Sequence, residues 1–278
     1  MRANPALARC PKSCAANKEN QTFPAQTGRK YWTVETIAIG STRPREAAFT
    51  MPVVAAKFTL CLKQCDAFDG LCDEDLERFI AISRTVTLDP QEYFFRQNDP
   101  PAHVYLVQVG EWMTEQDLAD GRRQVGGFAG AGEWAGFGGT ANYSYSVKAL
   151  TFVQARKVAT SDIISFANDY PSVWRRLHER RNRVMLDMAQ RTAVAGKLRA
   201  HERLCVLLEK ISRLQKSEMT ARLNMTRQDI ADYVGLNADS VSRGFKKLEA
   251  HGIISMDESG RQIAFLQPQE IRRIAALL

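Results

Sequence analysis

Asp239, Ser242, Arg243, Lys246 and Lys247 fall within nine residues of a segment whose apolar residues, Val241, Phe245 and Leu248, recur at steps of four and three. On a helix that spacing buries one face and leaves the polar side chains on the rest of the surface. The set lacks the nucleophile–base pairing or metal-ligand grouping that catalysis would require. It does suit the edges of base pairs. A guanidinium such as Arg243 bonds bidentately to guanine O6 and N7, the Asp239 carboxylate accepts from cytosine N4, and the Ser242 hydroxyl reaches a base or a phosphate. Lys246, Lys247 and, further on, Arg261 suit phosphate oxygens, which set register and affinity but not sequence.

Such chemistry needs a rigid support, and the flanking residues supply its local signals. Thr226 followed by Asp229 forms a capping box with Asp in place of the preferred Glu or Gln, and Ile230, Tyr233 and Val234 mark the buried side of the helix it opens. Gly235 ends that helix by entering the left-handed conformation cheaply. Asn237 is a good N-cap for a second helix from Ala238 to about Ala250. Gly252 closes it, and "IISMDESGRQIAFL" turns at Ser259-Gly260 into a two-stranded hairpin. Helix, glycine turn, helix and hairpin make a winged helix-turn-helix, whose second helix enters the DNA major groove.

Charge agrees with that placement. Residues 171–278 carry 20 Lys/Arg against 12 Asp/Glu, whereas residues 51–170 carry 10 against 16, within a net charge of +7. A basic C-terminal part beside an acidic middle is the footprint of a nucleic-acid-binding module joined to a separate domain. Four histidines are scattered without metal spacing, and nothing converges as an acid, base or nucleophile set, so an enzyme is not expected. No apolar run approaches the roughly 18 residues of a membrane span, and no secretory pattern opens the chain. A cytoplasmic protein is expected. Five of six cysteines (Cys10, Cys14, Cys61, Cys65 and Cys72) lie in the first 72 residues, while Cys205 sits between Leu204 and Val206 and reads as a small core residue.

The expected fold class is α+β: an N-terminal antiparallel β-roll like the cyclic-nucleotide-binding type, a long dimerisation helix and the C-terminal winged helix-turn-helix. Residues 1–57 read as a disordered extension, with the patterned sequence, and an alternative translation start, near Met51. Residues 58–160 form the roll. There "CDEDLERFIAIS" gives a helix with Leu76, Phe79 and Ile80 inward, followed by short strands broken by Pro, Gly and Asn, with Asp120-Gly121 as a two-residue hairpin signal. Residues 161–198 are helical. Pro171 suits the first turn of a helix running from about Ser172 to Ala195, and Trp174, Leu177, Val184 and Met188 form a heptad-like stripe read as a dimer seam. Gly196 reads as a hinge, and residues 199–278 form the DNA-binding domain.

"MTRQDIADYVGLNADSVSR" (225–243) closely resembles the DNA-binding motif of the Crp/Fnr regulators, with Asp239 where that family's glutamate stands. The resemblance extends over residues 58–278. It includes "DGRRQVGGFAGAGEWAGF" and "YSYSVKAL", which look most like the FixK-type and FNR-type branch. It implies a homodimeric transcription regulator, an activator that works with RNA polymerase on double-stranded DNA at a palindromic TTGA-type site, in oxygen-, redox- or nitrogen-fixation-related control. In cyclic-nucleotide-binding relatives the Glu of a Gly-Glu pair holds the ribose, and an Arg ten residues later neutralises the cyclic phosphate. Here Gly132-Glu133 is followed by Tyr143 at the later position. Tyrosine cannot replace the charge-assisted contacts of a guanidinium, so no cyclic nucleotide is expected, and the retained Gly132, Gly136, Gly138 and Gly139 read as β-roll turn residues. No cofactor is expected either. The alternative is a gas or redox sensor, with an iron–sulfur cluster on Cys61, Cys65, Cys72 and Cys10 or Cys14, or a heme served by His103 or His178.

Overall fold

A computed structural model describes residues 62, 65–137, 141–195 and 198–276; the expectations for residues 1–57 and for Gly196, Gly138 and Gly139 lie outside the described residues. Helix α1 (Asp73–Ala81) opens on Cys72 and buries Leu76 and Phe79. Eight strands follow: β1 (Ser83–Leu88), β2 (Tyr93–Phe95), β3 (His103–Val109), β4 (Trp112–Asp117), β5 (Arg123–Ala129), β6 (Trp134–Ala135), β7 (Ser146–Ala149) and β8 (Val153–Ala159). They pair antiparallel in two sheets of order β1-β8-β3-β6 and β2-β7-β4-β5. The run "HVYLVQV" is apolar on both sides because β3 is covered on both. Val104 and Leu106 face a core shared with the helices, and Tyr105 and Val107 face the interior of the roll. The β4–β5 loop departs from the two-residue turn expected of Asp120-Gly121. Leu118 N–H donates to the Arg122 carbonyl, and the three residues between them end on Gly121 at φ +81°, which is the three-residue hairpin with a glycine in the left-handed position.

Helices α2 (Thr160–Asp169) and α3 (Pro171–Ala195) leave the roll. The first turns of α3 lie on the roll's own helical core, where Val173 is fully buried and Leu177 only 9% exposed, clustered with Phe68, Trp134 and Phe166. Leu177 was assigned to the dimer seam, and that assignment is corrected. A heptad stripe marks apolar positions but does not say which of two partners covers each, and here the chain's own core covers Leu177. Trp174, Val184, Met185, Leu186 and Met188 are 50–63% exposed.

The C-terminal part comprises α4 (Ala200–Leu214), β9 (Thr220–Arg222), α5 (Arg227–Val234), α6 (Ala238–Ala250), β10 (Ile254–Met256), β11 (Gln262–Phe265) and α7 (Pro268–Ala275). Its core gathers Leu204, Leu208, Ile230, Phe245 and Ile271, and Cys205 is fully buried among them. Desolvation pushes the Cys205 thiol up to about 12, as expected of an inert core thiol. The wing is a three-stranded sheet of order β10-β11-β9, one strand more than the expected hairpin. Among the described residues, no helix is long and apolar enough to cross a membrane.

Candidate nucleic-acid interface

The two motif helices are fixed by contacts between near neighbours in sequence. Thr226 Oγ1 accepts from Asp229 N–H at 3.1 Å, and Asp229 Oδ2 accepts from Thr226 N–H and Oγ1–H at 2.9 and 2.7 Å, closing the capping box. Burial pushes the Asp229 carboxyl up, but these hydrogen bonds and the Arg123 guanidinium outweigh it and hold it below the usual carboxylate range. Gly235 takes φ +69° and its N–H donates to the Ala231 carbonyl. Asn237 Oδ1 then accepts from Ser240 N–H at 2.8 Å to start α6.

Val241, Phe245 and Leu248 of α6 are buried. Asp239, Ser242, Arg243, Lys246 and Lys247 are exposed on the same helix, and Arg261 is exposed on the wing. Ser242 Oγ donates back to the Ala238 carbonyl at 3.0 Å, and Arg243 Nη2 donates to Ser240 Oγ at 3.3 Å. Both are weak local contacts that an outside partner can replace. The wing tip is held by Asp257, whose carboxylate accepts from Ser259 Oγ at 2.6 Å and from the N–H groups of Arg261 and Gln262 at 2.8 and 2.9 Å. Those hydrogen bonds, Ser259's first, keep its carboxyl below the usual range.

Three supporting residues were not singled out from the sequence. Arg227 lies over the Phe245 ring at 4.3 Å and donates to the Gly260 carbonyl at 2.8 Å, tying the wing turn to the underside of α6. Burial alone lowers its pKa from the usual arginine value. Arg203 of α4 donates to the Val234 carbonyl at 3.1 Å and so holds the turn between the motif helices. Gly244 lets α6 settle against α4, since a Cβ there would stand 2.6 Å from Leu204 Cδ1. Only a small residue at the fourth-residue step between Ser240 and Leu248 hinted at that close approach. Helix α7 was also missed, although Pro268 at its first turn and Ile271 and Ile274 on one side carry its signal.

Residues 202–274 match the Crp-like helix-turn-helix domain, and residues 85–170 match the cyclic nucleotide-binding domain. The chain is 31% identical over 216 residues to the nitrogen fixation regulation protein FixK of Bradyrhizobium diazoefficiens, an alignment covering 76% of this chain and 89% of that relative. The chain belongs to the Crp/Fnr family of transcription regulators. Its FixK-like character is consistent across relatives. The transcriptional activatory protein AadR of Rhodopseudomonas palustris is 29% identical over 215 residues, covering 74% of this chain and 89% of that protein. The structure of FixK2 from Bradyrhizobium japonicum superposes with a TM-score of 0.64 at 25% identity, covering 69% of this chain and 97% of that one. This Crp/Fnr member is a DNA-binding regulator and not an enzyme, and α6 occupies the recognition position of its motif.

The nucleotide-binding part of the Crp/Fnr fold is differently equipped. Tyr143 is buried and stacks on Phe95 with ring centroids 3.7 Å apart at 20°, and its hydroxyl donates to the His103 carbonyl. Glu133 accepts from Arg180 Nε of α3 at 2.6 Å. Gly132 and Gly136 take φ +83° and +97° and serve backbone turns. The site therefore has an aromatic stack where a phosphate would need a cation, and its acid is already paired, so these residues do not fit a cyclic nucleotide. Cys65 Sγ donates to the Gly132 carbonyl at 3.7 Å, and burial pushes that thiol up. Cys72 Sγ donates to Asp75 Oδ2 at 3.1 Å. Cys10, Cys14 and Cys61 lie outside the described residues.

Proposed function

We propose that this regulator acts as a homodimeric activator on a palindromic TTGA-type site, with half-sites about 34 Å apart so that both α6 helices meet one face of the duplex. The observation that carries the reading is the exposed face of α6. Arg243 would read the guanine, Asp239 a cytosine, and Ser242 a base or phosphate, while Lys246, Lys247 and Arg261 would hold phosphates. Trp174, Val184, Met185 and Met188 would form the dimer seam, because exposed apolar side chains on one side of α3 lower their free energy by packing on a second copy. RNA polymerase and oxygen- or redox-related control are what the family resemblance implies, and the name of the FixK relative adds nitrogen-fixation regulation. The filled nucleotide position and the separate hydrogen bonds of Cys65 and Cys72 support action without a small effector or cofactor, at a cytoplasmic location.

The dimer is tested by Val184→Glu with Met188→Glu. Monomers are expected, with DNA affinity lower by about 10²–10⁴ through loss of the linked second half-site. Unchanged dimers in sedimentation would refute the seam. A visible absorption band in anaerobically purified protein would overturn the cofactor-free reading in favour of iron–sulfur or heme.

A further inference from the structure

The winged domain is docked on the β-roll. Met113, Val125, Phe128 and Leu150 of the roll belong to the same buried cluster as Ile230 and Phe245, and Phe128 meets Tyr233 with ring centroids 4.9 Å apart. Beside that contact stands Arg123 of β5. Its Nη2 donates to Asp229 Oδ1 and Asp232 Oδ2 at 2.7 Å each, its Nε to Asp232 Oδ2 at 3.0 Å, and its Nη1 to Glu115 Oε2 at 3.0 Å. Glu115 in turn accepts from the Tyr93 hydroxyl at 2.5 Å and lies 3.4 Å from Lys148 Nζ. Gln215 and Asn224 donate across the same junction to the two oxygens of Glu111, at 2.9 and 3.0 Å. Meanwhile Asp239, Arg243, Lys246, Lys247 and Arg261 stay exposed, so the docked arrangement leaves the DNA-reading face open.

We propose that Arg123 is a positioning residue for DNA recognition: it clamps the winged domain to the β-roll of its own chain in one orientation, so that the two arms of the dimer accept one half-site spacing. The proposal rests on the palindrome reading above. Shared apolar surface holds the domains together without direction. A guanidinium fork with one carboxylate on the roll and two on α5 is directional, because its donors are fixed in a plane. The Asp229 carboxylate carries that orientation into the motif: one oxygen takes Arg123 and the other caps α5. Arg123 is fully engaged by acids and is not a phosphate contact. Each base pair inserted between half-sites turns one of them by roughly 35° and moves it about 3.4 Å. A clamped arm cannot follow that change, but a freed arm can, at the cost of ordering itself on every binding event.

The test measures full-length protein on DNAs carrying two identical half-sites at the preferred spacing and at spacings one and two base pairs longer or shorter. Wild type is expected to favour one spacing by on the order of 100-fold. Arg123→Ala should lose about tenfold at that spacing and bind the other spacings within a few-fold of it, with an unchanged salt slope because no phosphate contact is lost. Asp232→Asn breaks the clamp from the winged side without touching the α5 cap, and should broaden the profile in the same way. The double variant should be no broader than Arg123→Ala, since both changes remove one interaction. A folded, dimeric Arg123→Ala or Asp232→Asn protein with the wild-type spacing profile would overturn the clamp alone. A wild type that binds single half-sites as a monomer would overturn the palindrome reading and the clamp with it.

Discussion

In the β-roll, Tyr143 gives its hydroxyl to the His103 carbonyl, Glu133 is held by Arg180, and Arg156 donates to Ser83, Thr85 and the Ile80 carbonyl. On the outer face of α6, Asp239, Lys246 and Lys247 make no side-chain hydrogen bond or ion pair with the rest of the chain, among the described residues, and stand in solvent. The two regions carry comparable chemistry with opposite commitments. A group already satisfied inside a low-dielectric core can take a ligand only by giving up its partner, and the buried partner is then left with a desolvation cost. A solvated group exchanges water for a ligand at little cost. A tyrosine in place of the cyclic-phosphate cation therefore need not leave a vacant pocket. On the proposed reading the roll serves as a scaffold whose polar groups hold it together, while external recognition falls to α6 and the wing.

The largest expected effect comes from reopening the closed region. Tyr143→Ala removes the ring stacked on Phe95 and leaves the His103 carbonyl without its donor, and a loss of about 3–5 kcal/mol in unfolding free energy is expected. DNA binding measured well below the melting temperature should stay within a few-fold of wild type, because α6 is untouched. Denaturant titration reads the first quantity and a gel-shift or anisotropy titration the second. Cyclic nucleotide should not restore stability to the variant. Restoration would mean that the roll is a vacated binding site rather than a scaffold, and the contrast between the two regions would fail.

A smaller effect probes the open face. Arg243→Ala should cost about 1–3 kcal/mol on the specific site and flatten discrimination at the guanine position. Stability should barely move, since among the described residues the one hydrogen bond of the Arg243 side chain is the 3.3 Å contact to Ser240. If specific and random DNA weaken by the same factor, Arg243 is a phosphate contact and base reading shifts to Asp239 and Ser242.

The contrast also explains what was legible from residues alone. The motif helices were readable because their determinants are neighbours: Thr226 with Asp229, Gly235 at the turn, Asn237 with Ser240. The apolar steps of four and three likewise separated the buried Val241, Phe245 and Leu248 from the open polar face. The clamp was not readable, because Arg123 and its acids on α5 lie more than a hundred positions apart, and nothing local marks a pair that only tertiary packing brings together. Leu177 was misplaced for a related reason: periodicity reports that a face is apolar, not which surface covers it. Arg227 reads locally as one more basic residue on a basic domain, and only its position over Phe245 reveals a structural cation.

The smallest expected effect is the one that best separates affinity from sequence reading. Lys246 lies one turn beyond Ser242 on α6, exposed, and an ammonium on a flexible stem is a point charge rather than a planar fork. It suits a phosphate, whose oxygens are the same at every sequence. Lys246→Ala should therefore weaken specific and random DNA by about the same factor and lower the magnitude of the slope of log K against log salt by about 1. The two variants then form a pair: Arg243→Ala changes the ratio of specific to random binding, and Lys246→Ala changes the salt slope at constant ratio. Titrations on a TTGA palindrome and a scrambled duplex at several salt concentrations give both quantities. A Lys246→Ala protein whose specific-to-random ratio collapses while its slope holds would place Lys246 on a base edge. The division of labour along α6, with bases read in its first two turns and phosphates held beyond them, would then have to be redrawn.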